Sequence, residues 1–408
     1  MVKSGISFTN RDVTMYPCIT LKPGKDASAR YRHPWIFSGA IDQIKSVIEH
    51  GSLVAVTSHS GDFLGVGTYS ANSSIAVRIF DYTSTPIDQS WFETKLRSAD
   101  QTRLLLGYGP DTATTGYRII FSEADNIPGL ILDRYAGVYV MQISTAGLDR
   151  QKSILIEAIK AVFEPDTIIE RSDLPVRKQE NLPDVIACHH GEPPELVEFT
   201  EHGIKFLSDP VNGQKTGFFL DQKDLRRELV SLSKDKKILN LFSYTGANAA
   251  VALQNGASHV TNIDSSDPAL KFAKKLFKLY ELDSAVYKNI TADVFDWLSA
   301  APSEKYDLII LDPPALIKSQ DDTISGKKAY HFLNRTACQL LNPGGIFITS
   351  SCSRFLSETD FAFILRQASV QASVNLRLLK TVYQSADHPQ SLYFPHSLYL
   401  KTFICQQV

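Results

Sequence analysis

Two residues of this chain pair a reactive side-chain type with a place at the end of an apolar run. Cys352 stands in "FITSSCSRFL", where β-forming residues give way to serines and an arginine, and Asp312 stands in "YDLIILDPPALIKS", where a strand-like run meets two prolines. A thiol at a strand mouth is a candidate nucleophile, because its thiolate adds readily to an electron-poor carbon. Proline fixes its own φ and restricts the residue before it, so Asp312 is offered on rigid backbone. It suits hydrogen bonding to a heterocycle on which Pro313 or Pro314 packs. Both residues also have ordinary structural uses, since cysteine is often a small buried hydrophobe and aspartate often caps a turn. For Asp312 the two uses stay open. The company of Ser350, Ser351 and Ser353 favours reactivity for Cys352, whereas Cys18, Cys188, Cys338 and Cys405 lack such neighbours and read as inert.

The stretch "LNLFSYTGANAAVALQNGASHVTNIDSS" suggests what a reacting partner would be. A strand turns through Ser243, Tyr244, Thr245 and Gly246 into a helix, and the next strand ends about twenty residues on at Asp264, with Ser265 beside it. Gly246 permits close backbone approach, helix amides donate, and a carboxylate at that tip accepts both hydroxyls of a ribose. A pyrophosphate prefers three glycines here, so a single one points away from a dinucleotide and towards a nucleoside ligand without phosphates, such as S-adenosylmethionine. Thiol, carboxyl and adenosyl methyl donor together form the set needed to alkylate carbon 5 of a pyrimidine. That carbon becomes nucleophilic only after a thiolate adds at carbon 6 and nitrogen 3 is protonated.

Further candidates flank this set. In "DPVNGQKTGFFLDQKDLRRELV", Phe218 and Phe219 could wall an adenine or a target base while Asp221 and Gln222 supply hydrogen bonds; the alternative is a hairpin sealing one end of the domain. Gly213 and Gly217 suggest close backbone packing. Asp293 in "ITADVFDWL" either reaches an adenine amine or caps the following helix. His388 and Tyr393, in "SADHPQSLYFPHSLYLKTFIC", are expected in a loop over the cleft. His189 and His190 are expected in a loop and have no ligand partners nearby, so no metal site is predicted.

These residues need elements to position them. After about Val197 strands and helices alternate, which predicts a parallel sheet covered on both faces, with ligands at the carboxyl ends of its strands. Upstream, Ile19 to about Tyr82 is strand-like and turn-rich and reads as a small β module, and residues 118–194 read as an α+β module. The cluster Arg30, Arg32, His33 and Trp35 in "RYRHPWIFSGAI" mixes cations with an aromatic, as a nucleic-acid surface does; a core-anchoring Trp ringed by solvated arginines is the equal alternative. The predicted domains are 1–90, 91–196 and 197–408. With 408 residues, 43% of them apolar and 21% charged, the chain exceeds one ordinary core and is neither disordered nor fibrous in composition. No run of about 18 uncharged apolar residues is present, so no membrane partner is expected. Five scattered cysteines without a C-x-x-C pair fit free thiols in the cytoplasm. A net charge of -2 neither demands nor excludes a polyanionic partner.

Taken together, "RHPWIFSGAI", "GDFLGVGTYS", "EADNIPGLILDRY", "NGQKTGFFLDQ", "LNLFSYTGANA", "ILDPPALIKS", "SSCS" and "ADHP" resemble, in order along nearly the whole chain, the RlmI-like group of bacterial large-subunit ribosomal RNA cytosine-5 methyltransferases. The resemblance implies an α/β fold: a Rossmann-like class I methyltransferase domain with a mixed sheet, behind an N-terminal β-rich PUA domain and a central α+β domain. It implies S-adenosylmethionine held around Phe219, Asp221, Gln222, Ser243, Tyr244, Thr245, Gly246, Asp264, Ser265, Asp293, Asp312 and Pro313. Cys352 would be the nucleophile, with Asp312 assisting at the ring and Arg30, Arg32, His33 and Trp35 touching RNA. The expected partner is large-subunit ribosomal RNA, and a homodimer is left open. Many RNA cytosine-5 methyltransferases carry a second cysteine after the "DP" motif; here Ala315 follows "DPP", as the single-cysteine group implies, although that group often has Lys at this position. Two rival activities are a guanine-N2 methyltransferase, which needs no thiol, and a non-catalytic RNA-binding assembly protein.

Overall fold

In the computed structural model, residues 15–44 and 46–408 are described. Their contacts divide them into two units: the described residues up to Leu220 together with Ala386–Ser397, and Asp221–Ser385 together with Leu398–Val408.

In the first unit, the runs "LVAVT" and "FLGVGTY" become antiparallel neighbours, buried along nearly their whole length. Strands β1 (Cys18–Leu21), β2 (Trp35–Phe37), β3 (Ile41–Ile44), β4 (Leu53–Thr57), β5 (Phe63–Tyr69) and β6 (Ile75–Asp81) form one sheet in the order β2-β6-β5-β4-β1-β3, with helix α1 (Ala27–Arg30) beside it. Ile19, Leu21, Val54, Val56 and Val77 make its core. Helix α2 (Gln89–Leu105) follows, its first turn capped by Asp88, which accepts from the Trp91 amide at 2.9 Å. A second sheet has the order β11-β10-β9-β8-β7, from β7 (Gly116–Phe121), β8 (Leu130–Tyr135), β9 (Val138–Ile143), β10 (Thr167–Ser172) and β11 (Val185–His190). Helices α3 (Ala146–Arg150) and α4 (Lys152–Phe163) make the crossover between the parallel pair β9 and β10.

His189 and His190 therefore end a strand and not a loop. The polar run hid an edge strand whose residues alternate in burial, and His189 Nε2 lies 2.8 Å from Glu170 Oε2 on the neighbouring β10. The hairpin β12 (Val197–Glu201) and β13 (Ile204–Ser208) carries Phe199 and Phe206, whose rings cluster with Phe218 at 5.0 and 5.3 Å. Phe218, 3% exposed, thus belongs to a sealing cluster, not to a ligand wall. Gly217, at φ +118°, lies where a Cβ would stand 2.3 Å from Ser208 Oγ and 2.6 Å from the Asp209 carbonyl, so the close packing expected there is real.

The second unit is one seven-stranded sheet with the order β16-β15-β14-β17-β18-β20-β19. Its strands are β14 (Lys237–Leu241), β15 (His259–Asp264), β16 (Tyr287–Thr291), β17 (Tyr306–Leu311), β18 (Leu341–Ser351), β19 (Leu376–Tyr383) and β20 (Lys401–Gln407). Helices α5 (Lys223–Leu232), α6 (Ala247–Gln254), α7 (Asp267–Leu279), α8 (Val294–Ser299), α9 (Thr323–Cys338) and α10 (Glu358–Gln371) complete it. As the βα alternation predicts, β14, β15, β16, β17 and β18 run parallel. β20 returns antiparallel to β18, and β19 pairs antiparallel with β20, which makes the sheet mixed. The end of the stretch expected as a loop is thus this inserted strand, with Phe403, Ile404 and Cys405 each 2% exposed. Across β14, β15 and β16 the in-register Asn240, Asn262 and Asn289 hand amide hydrogen bonds from one to the next at 2.9 and 3.0 Å. A one-residue slip would leave these buried amides unpaired, so the ladder aligns the three strand ends. Among the described residues no helix is long and apolar enough to cross a membrane.

Candidate active site

β14 stops at Leu241, and the chain turns sharply before α6. Phe242, Tyr244 and Gly246 all take left-handed backbone, with φ of 58°, 45° and 73°. Such conformations are costly for residues with side chains and persist where the surroundings hold them. Here Asp264, at the end of β15, does the holding. Its Oδ2 accepts from the Tyr244 amide and its Oδ1 from the Ser266 amide, both at 2.8 Å. Ser243 donates its amide to the Ile263 carbonyl at 3.1 Å. Gly246 is required for a reason the sequence did not show: a Cβ there would lie 2.9 Å from Ala273 Cβ and 3.0 Å from the Phe277 ring, so the close approach is to α7.

Ser243 Oγ and Asn248 Oδ1 in this turn are buried yet make no hydrogen bond among the described residues. Unpaired buried polar atoms are costly, and two at one turn fit a ligand bearing hydroxyls or an amine, as a nucleoside does. Asp293, after β16, caps α8 through Oδ1, which accepts from the Phe295 and Asp296 amides at 2.8 and 3.1 Å. Its capping use is therefore observed. Ser265 is exposed beside Asp264. Asn248 was missed by the sequence reading, although an Asn in the first turn of the helix after such a loop is a usable signal.

β17 and β18 are parallel neighbours, with Leu311 opposite Thr349. Asp312 leaves β17 one residue later and Cys352 follows the end of β18, so both groups sit at the carboxyl edge of adjacent strands. Asp312 Oδ2 accepts from Gln222 Nε2 at 2.8 Å, and Gln222, 7% exposed, keeps a buried Oε1 with no hydrogen bond among the described residues. Asp221 is also buried, its Oδ2 accepting from the Tyr399 hydroxyl at 2.5 Å. Pro313 is buried behind Asp312.

The serines around Cys352 have a distinct use. Ser351 Oγ donates to the Tyr330 hydroxyl at 2.9 Å, that hydroxyl lies 2.9 Å from Ser353 Oγ, and Ser353 Oγ accepts from the Ile317 amide at 3.1 Å. Both neighbours of the cysteine are thereby locked to α9 and to the loop that begins at Asp312. Burial raises the proton affinity of the Tyr330 hydroxyl, which keeps it a neutral relay in this network. Cys352 itself is only partly buried, whereas Cys338 and Cys405 are sealed in the core. Burial pushes the Cys405 thiol up to about 12 and the Cys338 thiol further still, which makes both poor nucleophiles.

The remaining candidates lie in the first unit. Phe219 has Lys215 Nζ 4.1 Å from its ring centroid. Arg30 is ion-paired with Asp26 and Asp62 at 2.6 and 2.5 Å, while Arg32 is exposed with its guanidinium 5.9 Å from the Tyr82 ring. Trp35 donates its indole N–H to Glu123 at 2.8 Å and packs on Phe394 at 4.7 Å, and His33 meets the same Phe394 ring at 5.7 Å. His388 is buried, with Nδ1 3.0 Å from Asp387 Oδ1. Among the described residues no group of His, Cys, Asp or Glu is arranged to hold a metal ion.

Residues 19–82 match the family described as PUA-like domain, and residues 172–389, more than half of the chain, match S-adenosylmethionine-dependent methyltransferase. A curated relative from Aliivibrio fischeri (strain MJ11), ribosomal RNA large subunit methyltransferase I, is 38% identical over 394 residues, covering 96% of this chain and 99% of its own. The relative of the same name from Klebsiella pneumoniae (strain 342) is 36% identical over 397 residues, covering 96% and 99%. Among solved structures, a candidate SAM-dependent methyltransferase from Streptococcus mutans superposes with a TM-score of 0.81 at 22% identity, covering 96% of this chain and all of that one. A candidate methyltransferase complexed with SAH does so with 0.83 at 22%, with the same coverage. The arrangement of the seven-stranded sheet and these matches agree, and the chain belongs to the S-adenosylmethionine-dependent methyltransferases, in the family of ribosomal RNA large subunit methyltransferase I.

Proposed function

We propose that this protein methylates large-subunit ribosomal RNA in the cytoplasm, at carbon 5 of a cytosine, through a covalent adduct on Cys352. The observation that carries the reading is the placement of a half-buried thiol, both neighbours clamped, on the strand next to the one that presents Asp312. Amine methylation would leave such a thiol without a task.

S-adenosylmethionine, when bound, supplies an electrophilic methyl group on a sulfonium. Ser243, Tyr244, Thr245, Gly246, Asn248, Asp264, Ser265 and Asp293 are the residues that would hold it, with Phe219, Asp221, Gln222 and Pro313 as further candidates. Cys352 loses its proton and adds through sulfur to carbon 6 of the cytosine; the electron pair of the 5,6 double bond moves to carbon 5 and through carbon 4 to nitrogen 3, which takes a proton from Asp312 and returns it when the ring is restored. Carbon 5 is then an enamine carbon able to take the methyl group. Loss of the carbon 5 proton to a base expels the thiolate and restores the ring. Ala315 cannot be that base. The module within 1–90, with Arg32 as an exposed cation, would grip the RNA, the part within 91–196 would connect, and 197–408 would react.

RNA carrying 5-fluorocytosine tests the reading, because fluorine at carbon 5 cannot leave as a cation and the adduct is trapped. A complex stable to denaturation is expected with the wild type and lost in Cys352→Ala. Methylation of the RNA without any trapped complex would assign the activity to an exocyclic amine instead; S-adenosylmethionine binding with no methylation of any ribosomal RNA would leave a binding protein.

A further inference from the structure

A buried lysine is hydrogen-bonded to the residue that follows the thiol and has no place in the steps above. Lys401 opens β20, in register with Ser351 of β18 on one side and Tyr383 of β19 on the other. It is 7% exposed. Its ammonium donates to the Ser353 carbonyl at 2.9 Å and to the Tyr399 carbonyl at 3.3 Å, and it makes no ion pair among the described residues. An ammonium taken out of water and met only by carbonyls is poorly compensated, and lysines in such places usually have an anion close by.

Titratable groups near Lys401 or near Cys352 lie on several elements. They are Cys352 after β18, Tyr330 on α9, Tyr399 just before β20, and Glu358 at the start of α10, whose carboxylate accepts from the Tyr383 hydroxyl of β19 at 2.7 Å. Tyr330 is neutral, the Tyr399 hydroxyl is engaged with Asp221, and Glu358 is exposed, so water screens it. Burial lowers the proton affinity of Lys401, and negative charge on Cys352 and Glu358 opposes that. The carbonyl that anchors the ammonium also belongs to the residue after Cys352.

We propose that Lys401 is the positioning cation of Cys352, holding the loop at Ser353 and stabilising the sulfur as thiolate before RNA arrives. The inference rests on the reading of Cys352 as the nucleophile. In the step concerned the thiol proton leaves to solvent and the sulfur keeps the electron pair, with nothing oxidised or reduced. A nearby positive charge favours the thiolate, so its loss moves thiolate-dependent reactions to higher pH.

The test is alkylation of the full-length protein by iodoacetamide, without RNA, followed at the Cys352 peptide by mass spectrometry from pH 6 to 10. Wild-type Cys352 is expected to react at pH 7 several-fold faster than a thiol in an unstructured peptide; a rate equal to or below the peptide's overturns the proposal, whatever the variants do. Lys401→Met should slow alkylation at pH 7 about tenfold and move the profile up by about one pH unit, converging with wild type at high pH. Lys401→Arg, which keeps the charge, should retain the wild-type profile. Coincident profiles for wild type and Lys401→Met, with S-adenosylmethionine affinity intact, would reduce Lys401 to a structural role. That result would leave the nucleophile standing, whereas full methylation by Cys352→Ala would remove the nucleophile without touching the alkylation profiles.

Discussion

The two halves of the seven-stranded sheet are built by different means. On β14, β15 and β16, the ends are aligned by an asparagine ladder inside the sheet, and Asp264 pins the neighbouring turn through backbone amides. On β17, β18 and β20, side-chain hydroxyls of β18 bond both within the sheet and beyond it, Ser350 to Thr402 of the neighbouring β20 at 2.8 Å and Ser351 to Tyr330 of α9 at 2.9 Å. The first half uses short-range hydrogen bonds between consecutive strand tips and leaves buried acceptors for a ligand. The second collects groups far apart in sequence, Gln222, Asp312, Tyr330, Cys352 and Lys401, around one thiol and one carboxyl. Under the proposed function the first half would hold the nucleoside in a preformed cradle and the second would direct the thiolate through its charge environment.

The division has measurable consequences. The largest is a double dissociation. Cys352→Ala should lower turnover by at least about 10³-fold while S-adenosylmethionine affinity stays within twofold. Asp264→Ala should weaken that affinity about 10–100-fold, since hydrogen bonds to a charged group contribute about 1.5–3 kcal/mol, without changing the alkylation rate of Cys352. Calorimetric titration and alkylation measure both, and equal loss of both properties in either variant would mean that the halves are not separate. A middling effect is expected from Tyr330→Phe, which strips one partner from each of two buried serines. Stability should fall by about 1–3 kcal/mol in chemical denaturation, with a several-fold loss of turnover and unchanged cofactor affinity. Unaltered turnover would show that the serine clamp does not position the cysteine. Smallest, and outside both halves, is Arg32→Ala, which should cut the salt slope of RNA binding by about one unit and leave cofactor affinity and thiol reactivity alone. Arg30→Ala should do less, because Asp26 and Asp62 already occupy that guanidinium. Equal slopes for all three proteins would remove this surface from the RNA contact.

Some of this was legible in the one-dimensional order and some was not. The turn from Ser243 to Gly246, and Asp264 a fixed distance downstream, could be read because strand, turn, helix and strand follow one another locally and the parallel pairing of β14 and β15 needs nothing distant. The neighbourhood of Asp312 and Cys352 followed from the same alternation. Phe218, by contrast, has the same residue type and setting as Phe219, and only the hairpin packed on it shows that it seals a cluster. His189 and His190 failed as loop residues because the edge strand they end is defined by its partner β10 more than by its own composition. At Gly246, expected to let backbone approach a ligand, the close approach seen is to α7.

The amino-acid order by itself determined the βα succession, the two strand ends that carry a carboxyl and a thiol, and the single-glycine turn that suits a nucleoside, all properties of segments that act on near neighbours. The tertiary structure alone decided that β20 returns antiparallel beside β18 and sets Lys401 opposite Ser351. Nothing local marks that lysine, since what distinguishes a buried ammonium from a solvated one is the company of chain segments about fifty residues away, which only folding supplies.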